Sequence, residues 1–159
     1  MDAPGHPSLQ TPPGGRLFAL RVLLFAAVVP LLLRRDLTRL APRLEPAMPA
    51  APATPAAPAT SLPPGAVHAM VERIDRLLQA GRPLVRSGCL TRGITLFYFL
   101  RRAGADVSLR FGMGEVDGSF SGHCWVVHDG LPLAEKRDPR PLFTEMFRIP
   151  AEGIPGEGS

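Results

Sequence analysis

The chain has 159 residues, 19 of them proline and 16 glycine, with a net charge of +4 and a pI near 10, a size that suits one modest domain. The basic excess is almost all arginine, Lys136 being the only lysine, and no stretch interleaves arginines with aromatics, so a nucleic-acid surface is not expected. The two cysteines, Cys89 and Cys124, lack CxxC spacing, which argues against a disulfide scaffold and a zinc site; with no export signal evident, both are expected as reduced thiols in the cytoplasm.

Residues 1–15 are rich in proline and glycine and are expected to be disordered. Residues 16–40 are apolar and basic, and their unbroken apolar run, Val22 to Leu33, is twelve residues long with Pro30 inside it. A membrane-spanning helix needs roughly 20 such residues. Arg34 and Arg35 stand where a signal peptide would carry small, uncharged ones. The segment therefore reads first as a helix packed on the domain or a partner, second as a helix making peripheral membrane contact, and third as a marginal span. Residues 41–65 (APRLEPAMPAAPATPAAPATSLPPG) form a Pro/Ala linker too proline-dense for helix or sheet. That linker bounds a folded domain over residues 66–150, followed by a loose tail, 151–159.

Within the domain, AVHAMVERIDRLLQAG puts Val67, Met70, Val71, Ile74, Leu77 and Leu78 on one helical face, with Pro63 and Pro64 ahead of it and Gly81 at its end. CLTRGITLFYFLRRAG predicts a second helix, apolar nearly all round and hence buried, starting at Cys89 and stopping at Gly104. VSLRFGM alternates as a half-buried strand, EVDGSFSG reads as a loop or hairpin tip, and HCWVVHDGLPLAEK as two strands around a turn. PLFTEMF reads as a short apolar helix or coil. Two helices followed by an antiparallel sheet make the class α+β.

Cys89 is the first candidate for chemistry. At a helix start, unpaired backbone N–H groups and the macrodipole favour a thiolate, and its own N–H can donate to an oxyanion. A buried core cysteine is the common alternative. In SGHCWVVHDG, alternation turns His123, Trp125 and Val127 to one side of a strand and Cys124, Val126 and His128 to the other. His123 and Cys124 then cannot act as a nucleophile–base pair, and no HxH, HxxxH or carboxylate cluster offers His123 a metal. A catalytic histidine also needs an orienting acid, Asp129 or Glu135 here, and the turn length decides which. With a two-residue loop at Asp129-Gly130, Glu135 lies opposite Cys124. With a three-residue loop, Val127 pairs with Leu131 and Glu135 lies opposite His123, leaving Asp129 as a turn former. Pro132 marks the second strand as an edge strand.

SGCLTRGITLFYFLRRAGADVSLRFGM followed by GHCWVVHDGLPL resembles the lasso-peptide leader peptidases, small transglutaminase-like cysteine proteases of ribosomal-peptide biosynthesis. Cys89, Leu90 and Arg92 match a C-L-x-R element; Arg101, Arg102 and Gly104 match the helix end; His123, Trp125, Val126, Asp129 and Gly130 match a third element. The resemblance covers about residues 66–138 and implies a papain-related core with a buried, Cys-bearing helix packed on a small antiparallel sheet. Carried over, Cys89 is the nucleophile, His123 the general base and Glu135 the orienting acid, a position where the family often has Asp; Asp138 is the alternative. The implied reaction removes the leader from a precursor peptide and uses no cofactor or metal. The implied partners are the precursor, a separate leader-recognition protein and an ATP-dependent macrolactam synthetase. The same fold is also compatible with a hydrolase or acyltransferase acting on another peptide, or with a noncatalytic interaction module in which Cys89 is a core residue.

Overall fold

The computed structural model describes residues 15–33, 62–82, 85 and 88–150. The expected disordered start, most of the Pro/Ala linker and the loose tail lie outside the described residues.

Three helices form one layer. Helix α1 (Arg16–Leu33) buries Phe18, Val22, Ala26 and Val29, and its Phe25 ring stacks on Tyr98 with centroids 4.4 Å apart. Of the readings for this segment, packing on the domain is the one the structure shows. No helix among the described residues is long and apolar enough to cross a membrane. Helix α2 (Pro64–Ala80) starts where proline's fixed φ suits a first turn and buries Val67, Met70, Val71, Ile74 and Leu78 along the stripe read from the sequence. Gly81 ends it with φ −75°, so the glycine is not there for a left-handed turn. A Cβ at Gly81 would come within 2.7 Å of Leu23 Cδ2, so its bare backbone lets α1 close onto the end of α2. Helix α3 (Cys89–Arg102) runs through the middle, burying Ile94, Leu96, Phe97, Phe99 and Leu100 together with Thr91 and Thr95. The Thr95 hydroxyl donates to the Thr91 carbonyl at 2.7 Å, which allows a polar side chain in that layer. Gly104, at φ 89°, supplies the left-handed residue that terminates α3.

The second layer is an antiparallel sheet of β1 (Val107–Val116), β2 (Ser119–His128), β3 (Leu131–Pro132) and β4 (Thr144–Ile149), in the order β3-β2-β1-β4. Leu109, Phe111, Cys124 and Val126 point from β1 and β2 into the core. The result is an α+β fold, with three helices on a four-stranded sheet among the described residues.

Two local readings sharpen or change. Of the loop and the hairpin tip expected at EVDGSFSG, the structure has the hairpin tip: β1 and β2 run through it and only Asp117 and Gly118 turn, with φ of 52° and 74°. Paired left-handed residues of the Asp-Gly type match the twist of flanking strands, so the hairpin stays regular to its tip. Of PLFTEMF, expected to be helix or coil, Pro141, Leu142 and Phe143 are turn and coil, whereas Thr144–Phe147 enter β4 on the outer edge of β1, with a bulge between Phe111 and Gly112. A stretch carrying Glu145 and Met146 has no strong strand pattern of its own. The unpaired backbone of β1 supplies the hydrogen bonds, and stacking of Phe147 on Phe111 at 4.3 Å supplies the packing.

Candidate active site

Cys89 is the first residue of α3, with Gly88 extended before it (φ −87°, ψ 166°). The first bond of the helix runs from the Arg92 N–H to the Gly88 carbonyl at 3.0 Å. The N–H groups of Cys89, Leu90 and Thr91 therefore have no acceptor within the helix and are directed out of its start. Cys89 is partly exposed at the wall of a cavity of about 650 Å³ that Gly88, Arg92, His123, Glu135 and Phe143 also line. A cavity of about 810 Å³ between α1 and α3, lined by Leu24, Tyr98 and Phe99, contains none of the three expected site residues.

The His123 ring lies nearly parallel to Trp125 (centroids 5.9 Å apart, 15° between planes) and 5.1 Å from Phe143, which fixes its plane. Its Nε2 is 3.1 Å from Glu135 Oε2. The sequence reading required a three-residue loop for that approach, and the structure overturns this requirement. His128 pairs with Leu131, so the loop is the two residues Asp129 and Gly130, with φ of 50° and 75°. Had the strand continued in that register, Glu135 would face Cys124. It does not continue: the Leu133 N–H makes a last bond to the Val126 carbonyl at 2.8 Å, and Ala134 takes φ 52°, turning the chain off the sheet. That turn, and not the register, brings Glu135 to His123. Asp129 sits at the hairpin tip, 3.4 Å from His128 Nδ1, and its side chain is solvent-exposed. Asp138 is occupied by Arg140, whose guanidinium and backbone N–H hold its carboxyl below the usual carboxylate range.

Arg92 is the residue that the sequence reading noted only as part of a motif. It lies three residues after Cys89, on the same side of α3. Its Nη1 donates to Glu135 Oε1 at 3.0 Å, its Nη2 to the Ala134 carbonyl at 3.0 Å, and its Nε and Nη2 clasp Asp75 of α2 at 2.8 and 2.9 Å. Burial works against the charge of this guanidinium, but hydrogen bonds and attraction from Asp75, then Glu135, raise its pKa above the ordinary value. The two oxygens of Glu135 are thereby divided, one to Arg92 and one to His123. An arginine one turn along from the cysteine, with an acidic residue on the polar side of the preceding helix, was the available signal.

Cys124 behaves differently. Its sulfur packs into the notch left by Gly93 on α3, where a Cβ would stand 2.5 Å away. Burial pushes its thiol well above the usual range, with the neighbouring Cys89 and Glu135 adding to the effect and Arg92 opposing it. No group of three or more metal-ligating side chains occurs among the described residues.

Residues 25–148 match the profile of the family described as the Transglutaminase-like superfamily. No curated protein matches the chain, and no solved structure matches it.

Proposed function

The chain belongs to the transglutaminase-like superfamily, and from that premise we propose that it is a cysteine peptidase that removes the leader from a ribosomally made precursor peptide during lasso-peptide maturation. The observation that carries the catalytic part of this reading is the His123–Glu135 contact at 3.1 Å on the wall of the cavity that Cys89 lines at the start of α3. The substrate part rests on the C-L-x-R and H-C-W-V-V-H-D-G motifs.

With Glu135 accepting from Nε2–H, the neutral tautomer leaves Nδ1 of His123 as the base. Nδ1 takes the Cys89 proton, and the thiolate attacks the scissile carbonyl to form a C–S bond. The resulting oxyanion meets the N–H groups at the start of α3. His123 then gives its proton to the leaving amine, the C–N bond breaks, and a thioester remains. Water, deprotonated by His123, adds to the thioester; the C–S bond breaks and the thiol is restored. Glu135 stabilises the imidazolium formed in each half, and Arg92 keeps Glu135 in place.

Recognition of the leader is assigned to a separate protein, and the freed core peptide passes to a macrolactam synthetase, partners that follow from the same motifs. In a reconstituted mixture of precursor, recognition protein and this chain, Cys89→Ala should abolish leader cleavage while leaving thermal unfolding unchanged. Full cleavage by that variant would end the peptidase reading.

A further inference from the structure

Strand β2 has a partner along its whole length on one side and little on the other. β1 pairs with it from Ser119 to His128, whereas β3 reaches only Val127 and His128 before the chain departs at Ala134. The two-residue turns identify which groups the bare edge presents. In such a hairpin the flanking residues exchange both hydrogen bonds. Val116 and Ser119 flank the first turn, so Ser119, Ser121 and His123 direct their N–H and C=O groups to β1. Phe120, Gly122 and Cys124 direct theirs outward. The Val126 carbonyl, bonded to Leu133, and His128, paired with Leu131, follow the same parity. The Cys124 carbonyl lies close to α3, 3.6 Å from where a Gly93 Cβ would be. Phe120 and Gly122 remain: among the described residues no backbone group pairs with them on the outer side, and residues 119–122 are all exposed.

This bare edge leads into the cavity. Cys89 belongs to the helical layer, while the His123 ring lies on the opposite face of the sheet beside Trp125 and Phe143. Both line one cavity at the edge that β3 has left uncovered, and Val116 at the hairpin tip lines it too. An open row of N–H and C=O groups repeating every second residue fits another extended backbone, and little else. Gly122 adds no side chain to the edge.

We infer that the outer edge of β2 at Phe120 and Gly122 binds the substrate as an added strand, so that an extended peptide continues the line of β3 and its main chain passes between Cys89 and His123. This rests on the cysteine-peptidase reading and adds to it a substrate class: extended peptide held by its backbone, with selectivity left to alternate side chains.

The test compares alkylation of Cys89 by chloroacetamide with alkylation by a mixed-sequence set of tetrapeptidyl chloromethyl ketones, in the full chain. The peptidyl reagents should react about tenfold faster than their N-methylated counterparts, the effect of about one to two backbone hydrogen bonds. Gly122→Pro removes one outward N–H at an edge position where proline is tolerated, and should erase that advantage, read as the ratio of peptidyl to chloroacetamide rates within the same variant. Equal rates for methylated and unmethylated reagents in the natural chain would overturn the proposal, and that comparison stands even if Gly122→Pro impairs folding. A dimer that Gly122→Pro converts to monomer, with the peptidyl advantage intact, would assign the edge to a second copy and likewise overturn it. Failure of chloroacetamide to modify Cys89 at all would instead remove the peptidase reading beneath it.

Discussion

The two cysteines stand near each other on facing layers and have opposite surroundings. Cys89 opens a helix, with N–H groups beside it that no carbonyl of the helix takes and a cavity in front. Cys124 is in mid-strand, 3% exposed, with its sulfur seated in the notch above Gly93. One residue type thus serves as a candidate nucleophile in one place and as a small apolar packing unit in the other. Position relative to backbone ends and cavities separates the two, since the thiolate needs donors and space and the buried thiol has neither.

The sharpest way to break this comparison is thiol chemistry. The native protein should take up one equivalent of a small alkylating agent, at Cys89, and two after denaturation; Cys89→Ala should take up none while folded. Because burial raises the Cys124 thiol above its ordinary value of 9.0, the selectivity should persist at pH 9. The sign for stability follows. The folded state holds that proton more tightly than the unfolded chain, so this stabilisation is complete below about pH 9 and declines as alkali removes the proton from the unfolded state first. Mass spectrometry of labelled peptides finding Cys124 modified in the folded protein would refute the contrast.

Next in size is Glu135→Gln, which preserves shape but loses the charge facing His123. Leader cleavage should fall on the order of 10²-fold in kcat with little change in KM. Arg92→Lys should cost about tenfold, because an ammonium cannot hold Asp75, the Ala134 carbonyl and Glu135 together. An unchanged kcat in that variant would reduce Arg92 to a stabilising residue. The smallest effect concerns the Cys124 side alone. Gly93→Ala should destabilise by about 1–3 kcal/mol in urea unfolding, through the clash with the Cys124 sulfur and with Leu109 Cδ1 at 3.2 Å. Adding Cys124→Ala to that variant should recover part of the loss, since it removes the atom in the way.

Much of the helical layer was legible in advance. The apolar stripe of α2, the all-round apolar character of α3, and the Pro and Gly signals at their ends depend on residues within a turn or two of one another. A hairpin tip at EVDGSFSG was one of two readings, and loop stayed the other because Ser119, Ser121 and Gly122 are weak strand formers taken singly. Only pairing with β1 makes them strand. β4 was missed for the same reason. At the candidate site, position and alternation singled out Cys89 and His123, and both line the same cavity. The partnership of Glu135 with His123 was expected by a loop length that does not occur and is reached by the left-handed turn at Ala134 instead.

What the sequence by itself determined is whatever periodicity and local backbone preference encode: two helices with their ends, the alternation that separates His123 from Cys124, and an α+β order of elements. Tertiary structure alone decided where β3 stops, that Ala134 turns, and that Asp75, Arg92, Glu135 and His123 form one chain of contacts, each holding the next. Those outcomes depend on contacts between residues such as Arg92 and Glu135, far apart in the chain, whose energies no local pattern carries.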